Sequence, residues 1–252
     1  MGSVLVRYLR SLLFSAGWFS SIVLFAFPTL LTFPLPFEKR YAFVRLWTRF
    51  NLWWLRVTCN IRYEVEGREN IPSTNAIVFC KHQSTWETLA LQCIFPPQVW
   101  VLKKELLRLP FFGWGLAMLE PIAIDRKRGR QALKQLCEQG LERLKRGRWV
   151  VVFPEGTRVA PGKRGHYHIG GAMLARYAAY PVVPVAHNAG MLWPRGGFLK
   201  TPGIIRVKIG RPIDSRDLSA KEINQLAEQR IEQMMETIAG VPAIMAKAST
   251  QS

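Results

Sequence analysis

A chain of 252 residues that is 49% hydrophobic holds enough apolar material for one large domain, or a domain with an appendage, which excludes disorder as its default state. Thirty-five Lys and Arg against 17 Asp and Glu leave a net charge of +18, which calls for polyanionic partners: nucleic acid, an anionic membrane surface or phosphorylated substrates. Four scattered cysteines (Cys59, Cys80, Cys93, Cys137) without CxxC spacing exclude a disulfide scaffold and suit a reduced, cytosol-facing domain, and no Cys/His pairing or HExxH helix suggests a metal.

From Ser11 to Phe37 no side chain is charged, a run of 27 residues that is long enough to cross a bilayer core of ~30 Å. It exceeds a signal-peptide core and is followed by no small-x-small cleavage site. Pro28, Pro34 and Pro36 predict that the first helix ends near Phe27 and that a turn follows at 33–37. Arg7 and Arg10 precede the run and Lys39, Arg40 and Arg45 follow it, so charge does not orient it. A true span and a hairpin dipping into one leaflet both remain open. Over 40–60, helical spacing puts Arg45, Arg49 and Arg56 on one face. Phe43, Leu46, Trp47, Phe50, Trp53, Trp54 and Val57 occupy the opposite arc, the pattern of a helix lying in the membrane interface.

Beyond Asn60 the pattern alternates. Strands are predicted at Ile61–Val65, Ala76–Cys80, Val99–Leu102, Ile122–Ile124, Val150–Phe153, Val182–Ala186 and Ile204–Ile209. Helices are predicted near 85–95, 130–146, 170–180 and 219–239. The expectation is an α/β domain over 61–240, with a mixed central sheet flanked by helices, an N-terminal helical membrane-anchoring segment at 1–60 and a tail at 241–252.

Four stretches carry chemistry. In Cys80-Lys81-His82-Gln83-Ser84-Thr85-Trp86-Glu87 a histidine follows an apolar strand just before a helix. With His82 in the loop and Glu87 in the first helical turn, the carboxylate can fix the ring tautomer and leave the other nitrogen free to take a proton. Ser84-x-x-Glu87 is also a capping box, and the two readings are compatible. Phe153-Pro154-Glu155-Gly156-Thr157-Arg158 follows the most apolar strand. Its glycine permits close approach and its arginine offers a fork for phosphate oxygens, although a plain turn with a solvated arginine has the same letters. Ile124-Asp125-Arg126 opens a basic run, and Val183-Pro184-Val185 is a proline-bearing strand expected near the substrate entrance.

Together these blocks resemble the glycerolipid acyltransferase family, which includes the lysophosphatidic acid acyltransferases. That family carries a His-x4-Asp block, a block ending in arginine, a Phe-Pro-Glu-Gly-Thr-Arg block and a later proline-containing strand. Here they stand in order at His82–Glu87, Gly115–Arg126, Phe153–Arg158 and Val182–Val185. The resemblance implies His82 as general base and Glu87 as its orienting carboxylate, with no covalent acyl-enzyme. It implies Arg158 and Arg126 as phosphate ligands, with Glu155, Gly156 and Thr157 in the substrate site. No cofactor and no metal are implied. The partners are a lysophospholipid, acyl-CoA or an acidic acyl carrier protein, and an anionic membrane, with no nucleic acid. A bacterial inner membrane with the domain on its cytoplasmic side is the implied location.

Two departures stand out. Glutamate replaces the usual aspartate, so the pair must close with a shifted helix or another rotamer. Tyr167 is followed by His168 where a basic residue is frequent; His166 and His168 alone make a poor metal pair. Rival readings are acylation of another acceptor, such as glycerol-3-phosphate or an aminolipid, and a non-catalytic basic membrane-surface protein.

Overall fold

The structure is a computed structural model describing residues 2–239, so the expected tail at 241–252 lies outside the described residues. The chain opens with two antiparallel helices, α1 (Gly2–Leu31) and α2 (Phe37–Cys59). α1 runs past Phe27, where it was expected to stop. Pro28 lies within it, and the helix ends only at Leu31, ahead of the turn at 32–35. A proline removes one N–H and strains one turn, and packing along the whole helix outweighs that local penalty. α2 ends at Asn60, which adopts a left-handed conformation (φ 52°) and returns its N–H to Arg56 O, an αL cap that suits asparagine.

The aromatic arc of α2 does not all face outward. Phe37, Tyr41, Val44, Thr48, Leu55 and Thr58 lie on its buried stripe, with Asn51 accepting from Ser21 of α1. Trp47, Phe43 and Phe50 turn to α1, where they meet Trp18 and Phe25 at ring separations of 5.4, 6.1 and 6.5 Å. Close approach is possible because Gly17 sits under Trp54; a Cβ there would fall 2.2 Å from the indole nitrogen. Only Leu46, Trp53 and Val57 of the arc remain exposed, beside the exposed Arg49 and Arg56. The expected two-sided helix is three-sided, because one face was needed by the domain and another by α1.

Seven strands follow: β1 (Ile61–Glu66), β2 (Ile77–Cys80), β3 (Gln98–Lys103), β4 (Ile122–Ile124), β5 (Trp149–Val152), β6 (Val182–His187) and β7 (Gly203–Ile209). They form one sheet in the order β1-β7-β6-β2-β5-β3-β4. All pairings are parallel except β6 with β7, so the sheet is mixed, as the alternating pattern predicted. The central strands β2 and β5 are buried at every position, which their unbroken apolar runs require. α3 (Trp86–Ile94), α5 (Arg130–Lys145), α6 (Gly170–Ala178) and α8 (Ala220–Ala239) match the expected helices; the short α4 (Phe112–Ala117) and α7 (Ala189–Leu192) were not foreseen.

Pro184 lies inside β6 and pairs with Phe79 of β2. Its carbonyl still accepts the Gly210 N–H at 2.9 Å just beyond β7, so the proline forfeits only the return bond at the end of that ladder. Ion pairs fasten the helical hairpin to the domain: Glu120, between α4 and β4, takes Arg40 of α2, Arg148 before β5 and Arg143 of α5.

Candidate active site

Parallel strands bring their carboxyl ends to one edge, and loops leaving β2, β3 and β5 there build the site. A cavity of about 430 Å³ opens at that edge, walled by α1, α2, α3, β3 and α4. Its wall includes Trp18, Phe25, Val44, Leu89, Trp100 and Leu116, and its mouth carries His82, Lys103, Gly156, Thr157, Arg158 and Arg195. An apolar shaft under a polar rim is a shape for an amphiphile.

His82 leaves β2 into a loop, and Glu87 is the second residue of α3. His82 Nδ1 meets Glu87 Oε1 at 2.8 Å. The same oxygen accepts the N–H groups of Gln83 and Ser84, each at 2.8 Å, while Ser84 Oγ accepts from Trp86 N at 3.2 Å. The cap and the histidine contact therefore coexist in one carboxylate. The longer side chain needs no distortion, since both loop amides point at it. Burial pushes the Glu87 carboxyl up, but His187, His82 and the Ser84 N–H outweigh it, so the group sits below its ordinary value and stays ionised. With Nδ1 committed, Nε2 is the nitrogen left for a ligand. The His82 ring stacks on Phe153 with centroids 4.0 Å apart, which fixes its plane.

Behind the histidine lies a buried ionic cluster. Glu155, expected at the substrate, is 2% exposed and stands behind the loop; its Oε2 accepts the His82 N–H at 3.0 Å. Lys81 Nζ lies 2.7 Å from Glu155 Oε1 and 2.8 Å from Glu232 Oε1. Tyr167 donates its hydroxyl to the same Glu232 oxygen at 2.9 Å. Burial pushes the Tyr167 hydroxyl far up, so it remains a donor. This cluster draws on β2, the loop after β5, and α8, and fixes the Glu155 loop against the His82 loop.

Gly156, at φ 66°, makes the turn of the Phe153–Arg158 loop and returns its N–H to Phe153 O at 2.9 Å. Arg158 is half-buried, and burial is the main influence lowering its guanidinium from its ordinary value. Arg126 begins the short turn after β4; its side chain lies outside the described residues. The Val182–Val185 strand, expected near the entrance, does not line the cavity. It delivers His187 beneath the site instead. His187 Nε2 donates to Lys81 O at 2.8 Å, Nδ1 accepts from Ala189 N at 3.2 Å, and Nε2 lies 3.8 Å from Glu87 Oε2. Burial lowers the His187 ring from its ordinary value against the pull of Glu87, and the two bonds place a proton on Nε2. His168 is exposed and off the cavity wall.

Lys81, His187, Glu232 and Arg195 escaped the sequence reading. Lys81 adjoins the histidine, which was a usable signal; Glu232, on a helix 150 residues away, had none.

The acyltransferase family model matches residues 62–188. A 1-acyl-sn-glycerol-3-phosphate acyltransferase of Pseudomonas aeruginosa is 49% identical over 216 residues, covering 85% of this chain and 84% of its own length. The protein of that name from Saccharomyces cerevisiae is 32% identical over 195 residues, covering 73% of this chain and 62% of its own length. The crystal structure of the 1-acyl-sn-glycerophosphate (LPA) acyltransferase from Thermotoga maritima superposes with a TM-score of 0.80 at 27% identity, covering 96% of this chain and 99% of its own. With the histidine–carboxylate pair at the mouth of an apolar shaft, the Phe153–Arg158 loop beside it and a family model that matches half of its length, the chain belongs to the acyltransferase family.

Proposed function

We propose that the protein transfers a fatty acyl group from a thioester to the sn-2 hydroxyl of lysophosphatidic acid, forming phosphatidic acid. The observation that carries this reading is the Glu87-held His82 at the mouth of an apolar cavity beside Arg158, which among the described residues forms no ion pair with a carboxylate. His82 Nε2 takes the proton from the acceptor hydroxyl as its oxygen attacks the thioester carbonyl. Glu87 stabilises the imidazolium formed. Collapse of the tetrahedral intermediate breaks the C–S bond, and the proton passes from His82 to the departing thiolate. The hydrocarbon of the acyl group lies in the shaft, and Arg158 holds the acceptor phosphate.

The test is transfer from radiolabelled oleoyl-CoA and palmitoyl carrier protein to lysophosphatidic acid, glycerol-3-phosphate and an aminolipid, with products separated by chromatography. Labelled phosphatidic acid as the main product is expected. A main product from either other acceptor would replace this reading with another acylation.

We further infer that the helical hairpin lies in one leaflet, with the domain on the cytoplasmic side. Arg7 donates to Thr201, Ser11 accepts from Lys200 N, Phe14 packs on Trp193 and Phe27 on Phe111, so α1 stays against the protein over most of its length. These contacts favour a helix that stays with the domain over one that leaves it to cross a bilayer. Its outer stripe is open, with Phe19 66%, Leu24 71% and Leu31 81% exposed. That apolar stripe and the exposed arginines of α2 suit an anionic bilayer. Replacing Leu24 and Leu31 together by glutamate leaves the buried face untouched. Each charge placed in lipid costs about 2–3 kcal/mol, so binding to anionic vesicles should fall by more than tenfold in a sedimentation assay. Unchanged sedimentation would overturn the leaflet placement.

A further inference from the structure

The mouth of the cavity holds a second guanidinium that belongs to none of the four sequence blocks. Arg195 stands in the turn Trp193-Pro194-Arg195-Gly196-Gly197 after α7 and lines the same cavity as His82 and Arg158. Its Nη1 donates to Thr157 Oγ1 at 3.3 Å and to Arg158 O at 3.2 Å, so it is tied to the Phe153–Arg158 loop. The turn is anchored from the other side. The Trp193 ring meets Phe14 edge-on at 5.0 Å and Trp18 at 5.6 Å, Trp193 N–H returns to Ala189 O, and Gly196 takes φ 65°. Arg195 is thereby held between the membrane hairpin and the catalytic rim.

The charge at this rim is unbalanced. Among the described residues neither Arg158 nor Arg195 forms an ion pair with a carboxylate. The acid nearest in function, Glu87, is buried, with Oε1 occupied by the His82 ring and two backbone N–H groups. The two guanidiniums, on neighbouring loops, repel each other: Arg195 is among the influences that lower Arg158, opposed by the Glu87 carboxylate beyond ion-pair contact. Such a pair is stabilised by an anion that meets both.

We propose that Arg195 determines headgroup specificity: with Arg158 it forms a two-guanidinium clamp that takes a phosphomonoester in preference to a phosphodiester. The inference rests on the reading that this mouth receives a lysophospholipid. A phosphomonoester carries a charge of roughly −1.5 to −2 near neutral pH and three unesterified oxygens, enough for two planar forks. A phosphodiester carries a single charge and two such oxygens, and would leave the second arginine without a full partner.

The experiment compares wild type, Arg195→Gln and Arg195→Lys in detergent micelles with oleoyl-CoA. The acceptors are lysophosphatidic acid and lysophosphatidylglycerol bearing the same acyl chain. Arg195→Gln should lower kcat/KM for lysophosphatidic acid by about 10- to 100-fold, mostly through KM, the loss of one charge-assisted contact. For lysophosphatidylglycerol the loss should stay under about threefold, as for a solvent-screened charge. Arg195→Lys should recover part of the difference, since it keeps the charge and loses the fork. Should lysophosphatidylglycerol not be turned over, its inhibition constant against lysophosphatidic acid gives the same ratio. Equal losses on both acceptors, or a fall in kcat at constant KM, would make Arg195 a structural residue and overturn the clamp. Absence of transfer to lysophosphatidic acid by the wild type would instead refute the proposed function, a separate outcome.

Discussion

Replacing His82 with alanine should lower kcat/KM for acyl transfer by about a hundred- to ten-thousandfold, the usual contribution of a positioned general base. The loss should lie in kcat, because Arg158 and the apolar shaft, the proposed binding groups for the two substrates, are untouched. The fold should survive. The ring is partly exposed at the cavity mouth, and its stacking on Phe153 is the main packing it gives up. Thermal unfolding of the variant should therefore stay within a few degrees of wild type, about 1 kcal/mol for an aromatic contact. Steady-state assays beside a melting curve decide the matter. A stable variant retaining activity within tenfold of wild type would remove His82 from the chemistry.

The second large effect is on stability. Lys81→Met should destabilise the protein by about 3–5 kcal/mol, because it leaves Glu155 charged and without its cation in the interior. The Lys81 and Glu155 side chains are 1% and 0% exposed, so water cannot take over. The methionine fills nearly the same volume, so lost packing is not the cause. Combining it with Glu155→Gln should recover part of the loss, and urea unfolding of the four proteins gives the coupling directly. The change should also reduce activity, since Glu155 Oε2 holds the His82 N–H. A loss below about 1 kcal/mol would mean that the lysine contributes little once its own desolvation is counted.

The periodic parts of this protein were legible in advance. Each predicted strand agrees with its observed counterpart to within one residue at either end, as in β4 at Ile122–Ile124, because short β-rich runs of three to seven residues bounded by turn residues permit little else. The His82 and Glu87 arrangement was legible too, since a loop followed by a first helical turn can bring residues five apart together. Failures came where a local rule met a distant partner. Pro28 should have stopped α1, yet contacts from α2 and α4 carry the helix onward. The aromatic arc of α2 has the pattern of an interfacial helix, yet α1 takes Phe43, Trp47 and Phe50.

Glu155 shows the same division within the site. Its position in the Phe153–Arg158 block marked it as important, but only the approach of Lys81 and Glu232 turns it from a substrate ligand into the strut behind His82. Arg195 and His187 carried no local signal, because a surface turn and a strand end look alike wherever they fold. By itself the sequence determined the α/β class, the two N-terminal helices with the turn between them and the pairing of His82 with Glu87, all written in short-range spacing and hydrophobic pattern. The tertiary structure alone decided which face of α2 is buried, what stands behind His82 and which second cation meets Arg158. Those contacts join residues 30 to 151 positions apart, as in Ser21–Asn51 and Lys81–Glu232, and their choice depends on how the layers close rather than on any neighbour in the chain.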